Sequence, residues 1–258
     1  TEGDAVDFGD LTVARQSLGG VSGTTRGVFG GGWSGAFSDV MDYITIATTG
    51  DATDFGDLTQ ARQSGLAGAS SSTRGVFAGG GYSGGASNVI DYITIDSTGN
   101  AIDFGDLTSA RGASAGVDNN VRGCFGGGGN GSDTNTIDYI TIDTTGNAVD
   151  FGDLTVARDT LAGTSSATRG VFGGGSSSSN VMDYITIDTT GNAVDFGDLT
   201  VGRYWIAGLS STTRGVFGGG STGSMSNVID YITIDTLGDA DNFGDLTVAR
   251  QGLAGVSA

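Results

Sequence analysis

Short runs of alternating apolar and polar residues recur along this chain, each bounded by residues that favour turns. One unit holds four such extended segments, at residues 64–70, 74–79, 89–96 and 101–107. The third reads Val-Ile-Asp-Tyr-Ile-Thr-Ile-Asp, with the period of two that is typical of a strand with one buried face. Four short strands in one unit predict the blade of a β-propeller.

The unit repeats about every 47 residues. The segment Asp-Phe-Gly-Asp-Leu-Thr marks the predicted fourth strand six times, with Asn replacing the first Asp in the last copy. The marker phenylalanines are Phe8, Phe55, Phe104, Phe151, Phe196 and Phe243. A second marker, Arg-Gly-Val-Phe, occurs five times, with Cys124 in place of valine in the middle copy. A period of this size indicates an array of supersecondary units. We therefore predict one domain over residues 1–258, an all-β propeller of five four-stranded blades.

The unequal numbers of the two markers leave half a repeat over. The chain starts with a fourth strand at residues 4–11 and ends with a spare first strand near residues 252–257. Either residues 4–11 complete the last blade as a strap, or residues 241–246 do so and the overhang packs elsewhere. A fragment of a longer array, or strand exchange between chains, also fits the sequence. The Thr-Gly-Asn segment between the third and fourth strands predicts a tight hairpin, since Gly and Asn tolerate positive φ.

Composition supports an all-β fold. The chain has 50 Gly, no Pro, and no Lys, and 37% of its residues are hydrophobic. Helix-forming residues are scarce, while Thr, Ser, Val and Ile are plentiful. The regular spacing of the apolar residues predicts a packed, repetitive core and argues against disorder.

The order of markers resembles the Kelch repeat. A glycine cluster (Gly79, Gly80, Gly81) ends the second strand, Tyr92 lies in the third, an aromatic lies in the fourth, and Arg111 precedes the next blade. Phe104 stands where Kelch units usually have Trp, and no Pro precedes the Arg. The resemblance implies that the segment after the Arg lies at the ring axis. The sequence Ile-Asp-Tyr-Ile-Thr-Ile-Asp-Thr-Thr-Gly-Asn is also similar to repeats in structural proteins of tailed phages of marine cyanobacteria.

The net charge and the residue types that the sequence lacks restrict the classes of function it can have. The net charge of −18 disfavours nucleic acid and anionic membranes as partners, and we expect neither a signal peptide nor a membrane anchor. Without His or Lys, a general base would have to be Asp. The Asp residues recur in every repeat, which predicts structural roles as turn acceptors or as partners of the repeated Arg. We therefore expect no enzyme activity, no cofactor and no metal, although the Asp-rich turn at residues 143–153 leaves Ca²⁺ binding open.

Five aromatic residues break the repeat: Trp33, Phe37, Tyr82, Tyr204 and Trp205. They fall only in connections between second and third strands, or between one blade and the next. In an antiparallel blade both connections open on the same face of the ring, and in a five-blade ring the first and last blades are neighbours. These five residues are our predicted ligand-binding residues, forming a shared apolar groove. The alternative is that the loops merely tolerate aromatics that pack on the blade edge.

The sequence thus predicts a non-enzymatic recognition module, located on a virion or outside the cell. Its partner would be a glycan or another cell-surface ligand, bound tightly through display in many copies. The alternative function is a purely architectural propeller that mediates assembly with other virion proteins.

Overall fold

The protein folds as a ring of five antiparallel sheets, each with four strands, in a computed structural model that describes residues 3–257. The strands in chain order are β1 (Gly19–Ser22), β2 (Arg26–Gly30), β3 (Val40–Thr45), β4 (Thr53–Asp57), β5 (Ala67–Ser70), β6 (Arg74–Ala78), β7 (Gly81–Tyr82), β8 (Gly85–Ala86), β9 (Val89–Thr94), β10 (Ile102–Asp106), β11 (Ala115–Asp118), β12 (Arg122–Gly126), β13 (Thr136–Thr141), β14 (Val149–Asp153), β15 (Ala162–Ser165), β16 (Arg169–Gly173), β17 (Val181–Thr186), β18 (Val194–Asp198), β19 (Ala207–Ser210), β20 (Arg214–Gly218), β21 (Val228–Thr233) and β22 (Asp241–Asp245). The prediction of a five-bladed, all-β propeller is confirmed.

Blades 1 to 5 begin at β1, β5, β11, β15 and β19, and consecutive strands pair within each blade. In blade 2 the small hairpin β7–β8 is inserted between the second and third strands. The one helical turn among the described residues is the 3₁₀ segment Ser176–Ser178. No helix in this part of the chain has the length and apolar character needed to cross a membrane.

Each blade carries the same stack of side chains on its second, third and fourth strands. In blade 3, the Arg122 guanidinium lies 4.4 Å from the centre of the Tyr139 ring, and Tyr139 meets Phe151 edge-on. The same guanidinium donates a hydrogen bond to the carbonyl of Ile187 in blade 4. The repeated residues therefore build both the blade and its contact with the next blade.

The first strand of each blade lies at the ring axis, where neighbouring first strands contact one another. Glycine is required here, because a Cβ at Gly116 would collide with the backbone carbonyl of Gly68 in the preceding blade. The axial space encloses only about 100 Å³. The segment after the inter-blade Arg thus lies at the ring axis, as expected.

The two chain ends occupy a sixth position in the ring, between blade 5 and blade 1. Blade 5 already has its own fourth strand, β22, so the strap alternative is wrong for residues 4–11. Residues 3–11 lie at the outer edge of the sixth position, where the amide of Gly3 donates to the carbonyl of Phe243. Residues 252–257 lie at its axial edge. We call this two-segment position the incomplete blade.

Backbone hydrogen bonds run around the axis through all six positions. The amide of Ser17 donates to the carbonyl of Gly252, and that of Gly252 donates to Trp205, which in turn donates to Thr160. Equivalent bonds continue through Ala113 and residues 64–65 back to Ser17. The terminal segments therefore close a six-position ring, in which five positions hold complete blades.

A buried ion pair links each complete blade to the segment before it. Arg203 lies 2.7 Å from Asp230, Arg158 lies 2.7 Å from Asp183, and the pairs Arg15–Asp42, Arg62–Asp91 and Arg111–Asp138 are equivalent. Burial raises the pKa of Asp230, an effect that Thr200 and Arg203 oppose. The structural role predicted for this set of aspartates, as partners of the repeated Arg, agrees with the geometry.

The connection between third and fourth strands differs in detail from the prediction. The strands are antiparallel neighbours, as expected, but Asn100, Asn147 and Asn192 do not adopt positive φ. Their side chains instead accept a hydrogen bond from the preceding blade, as Asn147 does from the amide of Asp106. The Asn is selected by this inter-blade contact rather than by the backbone of the turn.

Candidate functional site

The two faces of the ring are built from different connections. One face carries the connections between second and third strands together with the passages between blades, which meet through bridges such as Gln16 with Trp33 and Tyr204 with Ser221. We call it the upper face. The lower face carries the first-to-second and third-to-fourth connections, where Ser71 donates to Asp143 of the next blade. The predicted grouping of connections is therefore present.

Four of the five predicted aromatic residues are partly exposed on the upper face: Trp33, Phe37, Tyr204 and Trp205. Trp33 and Phe37 form an edge-to-face pair with ring centres 5.3 Å apart, in the connection between β2 and β3. Trp205 lies where blade 4 passes into blade 5. Tyr82 lies in β7, but its side chain is outside the described part of the structure.

Phe37 and Trp205 line one cavity at the centre of the upper face. The cavity has a volume of about 360 Å³, and the amide and carboxyl side chains on its wall belong to Gln63, Asn130 and Asp159. Trp33 reaches this cavity only through its contact with Phe37, and Tyr204 is not part of the wall. Two aromatic rings beside amide and carboxylate groups make a site of mixed polarity, suited to a ligand with both apolar faces and hydroxyls.

The backbone at Trp205 explains how its side chain reaches the cavity. Trp205 has φ of +55°, a left-handed conformation, and the equivalent residues Ser17, Ser64, Ala113 and Thr160 share it. The backbone groups of Trp205 bond to Thr160 and Gly252 within the ring of backbone hydrogen bonds that runs around the axis, which we call the axial belt. The conformation is thus imposed by the ring closure, and the side chain at this position is free to vary from blade to blade.

Asp159 is the charged group on the cavity wall. Burial raises the pKa of its carboxyl group, and the nearby carboxylate of Asp133 raises it further, while a hydrogen bond from Thr160 opposes the shift. A carboxyl group in this setting accepts hydrogen bonds from ligand hydroxyls and repels anions. The cavity therefore disfavours an anionic ligand.

The first and last blades are not neighbours, contrary to the expectation from the sequence. The incomplete blade separates them, because Gly252 lies between Ser17 and Trp205 in the axial belt. Phe37 and Trp205 still share a cavity, since both point to the region above the axis rather than to a seam between two blades. The predicted groove is thus a central opening.

The polar wall residues were not predicted. Asp159 and Gln63 occupy the same place in their repeats as Tyr204, directly after the inter-blade Arg. The residue directly after the inter-blade Arg differs between repeats, and this variation could have identified it as a candidate site residue; the five residues are Gln16, Gln63, Gly112, Asp159 and Tyr204. Within residues 3–257 no cluster of three or more acidic or Cys residues has the geometry of a metal site.

Comparison with known proteins adds no relationship. No protein-family model matches the chain, and no curated protein matches it.

Proposed function

We propose that the chain is a non-enzymatic recognition module that binds a neutral saccharide in the central cavity of its upper face. The observation that carries the proposal is the meeting of Phe37 and Trp205, two aromatics outside the repeat, in one cavity with Gln63, Asn130 and Asp159. Rings of this kind stack on the apolar face of a sugar, and amide or carboxyl groups bond its hydroxyls. The neighbouring carboxyl groups of Asp159 and Asp133 and the net charge of −18 disfavour acidic sugars.

The absence of His and Lys from the sequence supports a binding role over catalysis. The five aspartates of the third strands are held in buried ion pairs, which leaves them unsuited to act as general bases. A single cavity of this size would bind a saccharide weakly, so firm attachment would require several copies.

The order of the glycine cluster, the tyrosine, the fourth-strand aromatic and the arginine supports a Kelch-like repeat. The amino-acid sequence of the third strand supports a place on the surface of a tailed phage particle. In that setting the upper face would contact a glycan on the host surface. Display in many copies on such a particle would meet the need for multivalency.

The test is a glycan array probed with the protein displayed as tetramers, so that weak single contacts are detected. We expect binding to neutral glycans that is lost in Trp205→Ala. The matched control is Leu237→Thr, which changes an exposed apolar residue in the connection between β21 and β22 on the lower face to the threonine found in other repeats. Wild-type binding by Trp205→Ala, or no glycan bound, would refute the proposal.

A further inference from the structure

A second cavity opens at the centre of the lower face, at the end of the axis opposite the upper-face cavity. It has a volume of about 300 Å³ and continues into an axial space of about 90 Å³. Its wall consists mainly of hydroxyl and amide side chains from the first strands and the first-to-second connections. Among the described residues that form this wall, only Asp118 carries a charge.

Asp118 belongs to a ring of six equivalent residues at the point where the cavity meets the axis, which we call the lower ring. The other five positions are serines: Ser22, Ser70, Ser165, Ser210 and Ser257. Amides of neighbouring first strands donate to these side chains. The amide of Ser70 lies 2.9 Å from Asp118 Oδ2, and the amide of Asp118 lies 3.3 Å from Ser165 Oγ. The amide of Ser165 donates to Ser210 in the same way. A serine therefore meets the structural requirement at this place, and the repeat does not need a carboxylate.

The charge of Asp118 has no counterion among the described residues. Burial raises the pKa of Asp118 to about 6, against the hydrogen bonds that its carboxylate accepts from the amides of Ser70 and Asn120, and no charged neighbour contributes to the shift. A carboxyl group whose pKa is raised in the folded state lowers stability at pH 7. A residue that costs stability at one copy of an otherwise uniform position indicates a binding role.

The other titratable groups near the lower ring are engaged elsewhere. The guanidinium groups of the neighbouring second strands stack on tyrosine rings and donate to carbonyls of the next blade; they belong to Arg74, Arg122 and Arg169. Three lower-face carboxylates accept hydrogen bonds from Ser71, Asn119 and Ser166; they are Asp143, Asp188 and Asp235. Cys124, on the strand next to that of Asp118, is a buried thiol whose pKa burial raises to about 12, so it is neutral at pH 7.

The chemistry of the lower ring fits an ammonium group better than a metal ion or a guanidinium group. Within residues 3–257 no cluster of three or more acidic or Cys residues could hold a metal, and one carboxylate among hydroxyls is a poor site for a divalent cation. Because Asp118 Oδ2 already accepts the amide of Ser70, the carboxylate is less suited to the paired bonds of a guanidinium group. A primary ammonium group has three N–H donors, which one carboxylate and two hydroxyls can accept.

We propose that the lower ring binds a primary ammonium group, supplied by a free alkylamine or by a lysine side chain of another protein. One N–H donates to the carboxylate of Asp118, and the other two donate to the hydroxyl oxygens of Ser70 and Ser165, its neighbours in the ring. The alkyl stem lies in the lower-face cavity. The sequence contains no lysine, so the chain has no side chain of this type to offer. The site is separate from the upper-face cavity and independent of saccharide binding.

Calorimetric titration of the full chain with butylammonium at pH 7 tests the proposal. We expect one-to-one binding, and binding at least about tenfold weaker for butyltrimethylammonium, which has the same charge and stem but no N–H donor. Asp118→Ser should also weaken butylammonium binding at least about tenfold, and it should keep the fold, because serine is the residue of the other copies. The matched control is Asp96→Ala, which removes one exposed lower-face charge and restores the alanine of the equivalent Ala47; it should bind like the wild type.

The pH dependence provides a second readout of the same carboxylate. Asp118 takes up a proton below about pH 6, whereas butylammonium stays charged, so the affinity should fall about tenfold between pH 7 and pH 5. The peptide acetyl-Gly-Lys-Gly-amide distinguishes the two sources of the ammonium group. Peptide binding that is lost in Asp118→Ser assigns the ring to a lysine of a partner protein, and binding of butylammonium alone assigns it to a free amine.

Three results would overturn the proposal. The first is no binding of butylammonium by the wild type. The second is equal binding by the wild type and Asp118→Ser. The third is equal binding of butylammonium and butyltrimethylammonium, which would show that the net charge of the protein attracts any cation.

Discussion

Arg203 and Arg250 occupy equivalent places in the repeat, but only Arg203 forms an ion pair among the described residues, so replacing each by alanine measures what the ion pair contributes. Arg203 lies 2.7 Å from Asp230, and both side chains are fully buried. Removing one member of a buried ion pair leaves the other charge without compensation and costs about 3 to 5 kcal/mol. Arg250 is exposed and has no acidic partner among residues 3–257, so its loss should change the stability by less than about 0.5 kcal/mol.

The assay is urea denaturation at pH 7, followed by circular dichroism. We expect Arg203→Ala to lose about 3 to 5 kcal/mol of unfolding free energy and to melt about 10 °C lower, whereas Arg250→Ala matches the wild type. Burial already raises the pKa of Asp230, and loss of the Arg203 charge removes one of the influences that lower it. A raised pKa in the folded state means that stability falls as pH rises, so the deficit of Arg203→Ala should be smaller at pH 4 than at pH 7.

Similar losses for the two variants would refute the reasoning, because the argument depends on the different surroundings of equivalent residues. A deficit of Arg203→Ala that does not change with pH would show that the buried Asp230 charge is not the cause.

Three further predictions address other parts of the ring. Phe151→Ala should lower the free energy of unfolding by about 3 to 5 kcal/mol in urea denaturation, because the ring is buried. Trp205→Ala should lower it by less than about 1 kcal/mol, since the ring is partly exposed and Ala113 already adopts the same backbone conformation in its blade. Equal losses of stability in the two variants would contradict this prediction. Burial raises the pKa of Asp118 to about 6, above its value near 3.9 in an unfolded chain, so the wild type should lose stability as pH rises from 4 to 6. Asp118→Ser, which restores the serine of the other repeats, should match the wild type at pH 4 and exceed it by up to about 3 kcal/mol at pH 7. Parallel pH profiles of the two proteins would exclude this role for Asp118. The melting temperature should rise with NaCl from near zero to seawater ionic strength, because salt screens the repulsion within a chain of net charge −18, and a flat profile would reject that idea.

The repeat made the blade predictable from the sequence. Strand periodicity, the marker Phe151 and its equivalents, and the glycine clusters are local features, and each recurs often enough to define the order of strands. The aromatic candidates Phe37 and Trp205 could be found in the same way, because they depart from a pattern that the blade itself requires.

Closure of the ring was decided only by tertiary structure. Residues 4–11 and 239–246 are identical at six of eight positions, so either could have completed blade 5 by local preference. The number of positions around the axis depends on how closely backbones approach at glycines such as Gly116 and Gly255. That packing created a sixth position, separated the first blade from the last and left Arg250 without an acidic partner among the described residues. It also brought Asp159 beside Trp205, since distances across the axis arise from the whole ring and are not encoded in any one repeat.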